Sequence, residues 1–78
     1  MKLTILTPNK QIFEGHITSV TIPGSAGAFQ ILANHAPIIS SLEPGKITYV
    51  NEGEKNELMI QQGIVSAHDN QVTILVEI

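Results

Sequence analysis

The chain has 78 residues, with seven acids against four lysines, no arginine and no cysteine, for a formal net charge of −3. Its lysines, at positions 2, 10, 46 and 55, are scattered, so it lacks the clustered basic footprint that neutralises nucleic-acid phosphates or anionic lipid. A single domain over residues 1–78 is expected, too small for a large stability surplus and without disulfides, so burial against a partner would help it.

In chain order the sequence reads as short strands separated by turn signals. Leu3 to Thr7 is apolar at positions 3, 5 and 6 and stops at Pro8-Asn9. Ile12-Phe13 forms a second extended piece closed by Gly15. His16 to Ile22 is rich in β-branched residues, with Thr18, Val20 and Ile22 on one face and Ile17, Ser19 and Thr21 on the other, and Pro23-Gly24 ends it.

The run Pro23-Gly24-Ser25-Ala26-Gly27-Ala28-Phe29-Gln30-Ile31-Leu32-Ala33-Asn34-His35-Ala36-Pro37 interleaves turn and apolar residues most densely. Gly24, Gly27 and Asn34 are the positions suited to positive φ, and the apolar alternation from Ala28 to Leu32 predicts a strand between two loop tips. Fixed loops on a sheet scaffold are where small β domains carry function. Pro37 to Leu42 is extended again, and Pro44-Gly45 fits the centre of a type II turn.

Lys46 to Val50 should pair with Glu57 to Gln62 across a polar loop, Asn51 to Asn56. Gly63 interrupts the next strand as a bulge or bend, Ile64 to Ala67 continues it, and His68 to Gln71 turns the chain. Val72, Ile74, Val76 and Ile78 form a period-two stripe with one buried face. No window carries a helical apolar period free of Gly and Pro. The fold class is therefore all-β, a small antiparallel β-sandwich or flattened barrel of about eight to ten short strands.

The sequence offers no credible active site. His16, His35 and His68 are far apart and lack zinc-ligand spacing, so they read as turn and edge residues, although a folded three-histidine site is geometrically possible. Ser25, His35 and Asp69 could be drawn as a triad, but no nucleophile elbow surrounds Ser25. Gly24-x-x-Gly27 matches a phosphate loop only in its glycines, because a strand rather than a helix N-terminus follows. Glu52, Glu54 and Glu57 cluster in the exposed hairpin as a solvated face, and Phe13, Phe29 and Tyr49 are too few for a base-stacking platform. Neither metal nor cofactor is expected. The apolar start is too short for a signal peptide and no run is long enough to span a bilayer, so the chain reads as soluble and cytoplasmic.

The whole chain resembles the epsilon subunit of the F-type ATP synthase in its N-terminal β-sandwich. The similarity is carried by Leu3-x-Ile5-x-Thr7-Pro8, Phe13-x-Gly15, Pro23-Gly24-x-x-Gly27-x-Phe29-x-Ile31-Leu32, His35-Ala36-Pro37, Leu42-x-Pro44-Gly45 and Gly63-Ile64-Val65, in register. This resemblance implies a non-catalytic rotor subunit on the cytoplasmic side of the bacterial inner membrane. It would join the gamma subunit of the central stalk to the membrane c-ring and couple proton-driven rotation to ATP synthesis. By correspondence, Ala26, Gly27, Ala28 and His35 face the c-ring, and Thr7, Pro37, Ile39 and Ser40 face gamma.

Departures from the family pattern carry their own expectations. Ala28 stands where many relatives have an acid, which removes an ion pair with the ring there, and Ala33-Asn34 replaces Pro-Gly before His35. Gln62 stands where a glycine is usual. Longer members continue into a pair of helices that restrain hydrolysis and in some cases bind ATP. The given sequence stops at Ile78, and if that is the whole protein, coupling without helix-mediated inhibition or nucleotide binding is expected of it. The alternative function is a lipoyl or biotinyl carrier modified at Lys55 on a hairpin tip, although the residues around Lys55 match neither attachment motif well.

Overall fold

The computed structural model describes residues 1–78. It contains nine strands: β1 (Lys2–Leu6), β2 (Gln11–His16), β3 (Ser19–Gly24), β4 (Gly27–Leu32), β5 (Ile38–Leu42), β6 (Gly45–Asn51), β7 (Glu54–Ile60), β8 (Gln62–His68) and β9 (Gln71–Glu77). One leaf runs β2-β1-β9-β8-β5, and a second runs β4-β3-β6-β7. They join where Gly24 of β3 pairs with Leu42 of β5, flanked by Glu43 N–H donating to Pro23 O (2.8 Å) and Ser25 N–H donating to Ser41 O (3.1 Å). The all-β flattened sandwich is therefore as the sequence indicated, with one pairing it did not. β1 and β9 run parallel, Lys2 opposite Gln71 through Leu6 opposite Leu75, while every other pair is antiparallel.

The core follows from alternation. β9 buries Val72, Ile74 and Val76 while Gln71, Thr73, Leu75 and Glu77 face out, and the partners of the buried three across β1 and β8 are Leu3, Ile5, Gly63, Val65 and Ala67. The second leaf contributes Val20, Ile22, Ile31, Ile47, Tyr49 and Ile60 to the same cluster of 15 buried residues. Phe13 and Tyr49 close one side with ring centroids 4.6 Å apart, the Phe13 ring lying over Gly15. Such aromatic contacts add about 0.5–1.5 kcal/mol beyond area burial.

The chain passes between leaves four times, and at these crossings burial departs from strand alternation. Ile17 is buried although its phase opposes that of Val20, because Ile17-Thr18 is a crossing rather than strand: Ile17 N–H donates to Met1 O and Thr18 N–H to Val50 O, in different leaves. The second and third crossings are residues 33–37 and Glu43-Pro44. Gln61 makes the fourth, its N–H held by Glu77 O at 2.8 Å, so the bend lies at Gln61 and not at Gly63, where the sequence suggests it.

Several turns also differ in detail. The expected polar loop from Asn51 to Asn56 is mostly strand, since β6 and β7 pair up to Asn51 opposite Glu54 and leave only Glu52-Gly53, at φ 52° and 77°, as a tight turn of the kind favoured between twisted antiparallel strands. Lys55 consequently lies within β7 opposite Val50, off the hairpin tip. Gly27 takes φ 122°, whereas Gly24 and Gly45 lack positive φ, so Pro44-Gly45 is not a type II turn. Gly45 begins β6 with Pro23 packed where its Cβ would be.

Gly63 keeps regular register with Leu42 and Val76 on either side, so it marks no bulge. Its role is close approach: a Cβ there would sit 2.6 Å from the carbonyl oxygen of Leu75. Gly63→Ala should therefore lower stability by about 2 kcal/mol, roughly 8–16 °C in Tm for a domain this small, measured by thermal unfolding. Gly53→Ala serves as a comparison of pure positive-φ strain, because nothing lies within 4 Å of that position.

A candidate docking face

The two leaves present different outer surfaces. On the second leaf, outward positions carry Ala28, Gln30, Ser19, Thr21 and Thr48, together with the Lys46–Glu57 ion pair at 3.2 Å. Met59 and Leu32 are its exposed large apolar residues. On the first leaf, Leu6, Leu75 and Ile64 pair in one continuous row across β1, β9 and β8, ending at Ser41 of β5. The adjacent row is Thr4, Thr73, Ser66 and Ile39. Ile39 is 79% exposed, Ile64 52% and Leu75 47%, so half the exposed large apolar residues of the chain lie on this one face.

Leu6, Ile64 and Leu75 are missing from the sequence-derived site, yet a signal for them exists. Each adjoins a core residue, in the doublets Ile5-Leu6, Ile64-Val65 and Ile74-Leu75, where alternation calls for a polar residue at the outward position. An apolar side chain out of phase in a strand marks a second covered face. An open cavity of about 450 Å³ borders the row, lined in part by Pro8, Ser41, Ile64, Leu75 and Glu77.

Of the residues expected to face gamma, three border or lie on this leaf. Thr7 directly follows β1 and fixes the turn there, its N–H donating to Lys10 O at 2.8 Å and its Oγ1 accepting from Lys10 N–H at 3.1 Å. Ile39 projects from the middle of the face, and Pro37 precedes β5 at its far end. Ser40 shares the inward face of its partner Val65 rather than that of Ile39, because neighbouring strand residues alternate.

The residues expected to face the c-ring fall into two places. Ala26, Gly27 and Ala28 form the β3–β4 tip, and His35 follows the other end of β4, whose six residues separate the two by roughly 17 Å. A single partner surface touching both has to run along β4, an edge strand paired only with β3.

Ser25 lies at the first of those ends and His35 and Asp69 at the other, so the Ser25-His35-Asp69 triad is not assembled. His35 and Asp69 instead line a shallow cavity of about 510 Å³ with Asn34, Ala36, Pro37 and Asn70. No three metal-ligating side chains come together.

The electrostatics are mild. Burial pushes the Tyr49 hydroxyl above the usual phenol range. At the rim of the first leaf Lys2 Nζ lies 2.9 Å from Glu14 Oε2, and its hydrogen bond and charge hold the Glu14 carboxyl below the usual range. A depressed carboxylate stabilises the fold above its unfolded-state pKa, and that contribution fades as pH falls through the folded-state value. Lys2→Met should return the Glu14 pKa to the ordinary glutamate range in an NMR titration. It should also remove the part of acid destabilisation that falls in that interval.

A family model for the delta/epsilon chain β-sandwich domain of ATP synthase matches residues 1–78. The chain is 44% identical over 78 residues to the ATP synthase epsilon chain of a Nitratiruptor species, covering 99% of this chain and 60% of the relative. It is 42% identical to that of Sulfurimonas denitrificans, with the same coverage. It thus spans about 60% of the length of these curated relatives. A chain in a mitochondrial ATP synthase structure from Euglena gracilis, comprising OSCP, F1 and c-ring, superposes with a TM-score of 0.88 at 26% identity, over 95% of this chain and 48% of that one. A central stalk and c-ring structure from Tetrahymena thermophila gives a TM-score of 0.82 at 21% identity, over 99% and 63% of the respective chains, and shows likeness of fold.

Proposed function

The chain belongs to the delta/epsilon β-sandwich family of ATP synthases, and from that membership we propose that it is a non-catalytic rotor element joining the gamma subunit to the c-ring. The work of such a part is to hold two partners in fixed relation while the rotor turns, so proton-driven rotation of the ring reaches the catalytic head as rotation of the stalk. In a bacterium its place is the cytoplasmic side of the inner membrane, held there through the complex.

The observation that carries this reading beyond family membership is the asymmetry of the two outer surfaces. A row of Leu6, Leu75 and Ile64 with Ile39 beside it, bordered by hydroxyls and carrying its ionic pair at the rim, has the composition of a protein-binding core with a polar margin. We assign this face to gamma, with Thr7 and Pro37 at its ends. The β3–β4 tip at Ala26, Gly27 and Ala28, together with the His35 loop, is assigned to the c-ring along edge strand β4. Contacts at the tip are apolar or made by backbone, since Ala28 offers no charge. Lys55 within β7 gives no comparable support to a carrier role.

Mixing the chain with gamma from the same organism should give a one-to-one complex by size-exclusion chromatography with light scattering. Ile39→Glu should weaken it by about 2 kcal/mol, roughly thirtyfold in Kd. Met59→Glu, which places the same charge at an exposed apolar site on the opposite face, should leave it unchanged. Weakening by Met59→Glu but not by Ile39→Glu would show that the faces are assigned the wrong way round.

A further inference from the structure

The crossing from β4 to β5, residues 33–37, is the longest of the four and carries His35. All five of its residues are exposed. Locally, His35 N–H donates to the O of Leu32, the last residue of β4, at 3.2 Å, and His35 Nδ1 lies 2.7 Å from Ala36 O. Its one hydrogen-bonded tie to another part of the chain is to Asn70: Asn34 N–H donates to Asn70 Oδ1 at 2.6 Å, and Asn70 Nδ2 donates to Asn34 Oδ1 at 3.0 Å.

Both asparagines are left-handed, Asn34 at φ 66° and Asn70 at φ 59°. Asn70 is itself anchored, because its carbonyl accepts Lys2 N–H at 2.9 Å and it completes the Asp69-Asn70 turn between β8 and β9. A two-way bond from a fixed turn therefore reaches into an otherwise untied loop.

We infer that Asn70 is a positioning residue, which presets the His35 loop through the Asn34–Asn70 clasp so that the loop meets the c-ring already ordered. The role rests on the ring-facing assignment proposed above. An untied loop loses backbone freedom when it docks, and a loop held beforehand does not. With Asn34 in place of a more mobile glycine, the segment has a side-chain oxygen to complete the clasp.

The test uses the whole chain. Asn70→Gly removes the side chain but favours the left-handed conformation of the turn, so the hairpin stays intact. Asn70→Asp keeps an acceptor for Asn34 N–H, and rotation of the Asn34 amide lets it donate to the carboxylate. In the free chain, Asn70→Gly should speed amide exchange at Asn34 about tenfold with little change in Tm, and Asn70→Asp should restore protection. Binding to a gamma–c-ring subcomplex should weaken about tenfold in the glycine variant and recover in the aspartate variant, while binding to gamma alone is unaffected.

Unchanged exchange in Asn70→Gly would overturn the clasp as the source of order. Faster exchange with unchanged ring affinity would overturn its part in docking. If the unaltered chain binds neither gamma nor the subcomplex, the rotor reading fails together with the docking role, and that failure is recognisable because the exchange effect persists in the free chain.

Discussion

The parallel pairing of β1 with β9 is the constraint on which the rest depends. These are the first and last strands, yet they lie inside the five-stranded leaf, with β2 on one side and β8 on the other. That leaf cannot form until the two ends of the sequence have met. Leu3 and Ile5 are fully buried beside Val72 and Ile74, so the meeting is driven by apolar contact as well as by the ladder. Loop-closure entropy is large for such a contact, and the folding rate is expected to reflect it.

From this pairing follows the arrangement of surfaces. Placing β1 beside β9 aligns Leu6 with Leu75, and β8 adds Ile64 to the row. A one-residue slip of β1 would turn Leu6 into the core and Ile5 outward, destroying the core and the outer row together. The same register thus specifies the buried cluster and the face assigned to gamma. The second leaf, joined to the first by a short seam, carries the edge strand and tip assigned to the ring.

Much of the fold was legible because alternation is a local signal. The stripe of Val72, Ile74 and Val76 announces its strand and its buried face without reference to any partner. What alternation cannot express is which strand lies beside which, so the parallel pair was invisible. The crossings are hidden in the sequence for a related reason: Ile17 has the composition of a strand residue, and its burial comes from being between leaves. For the face proposed to meet gamma, the family motifs point to Thr7, Pro37 and Ile39, while Leu6, Ile64 and Leu75 require strand pairing to bring distant doublets into line. Ser40 belongs to the same family correspondence, but pleating turns it to the face opposite that of Ile39. His35 and the β3–β4 tip stand at opposite ends of β4, as a strand between two loop tips implies, and they lie well apart because a strand covers more than twice the distance per residue that a helix does.

The four crossings also bear on how the molecule carries load. Three of them are only one or two residues long: Ile17-Thr18, Glu43-Pro44 and Gln61. Sliding one leaf past the other would have to stretch covalent backbone at these points, so shear is resisted by peptide bonds rather than by the few hydrogen bonds of the seam. The remaining crossing, residues 33–37, has slack of its own and is the one stitched by paired asparagine side chains. A part gripped on opposite leaves by two bodies under torque would behave as a riveted plate, whose stiffness against twisting comes from its fastenings and not from the friction between its layers.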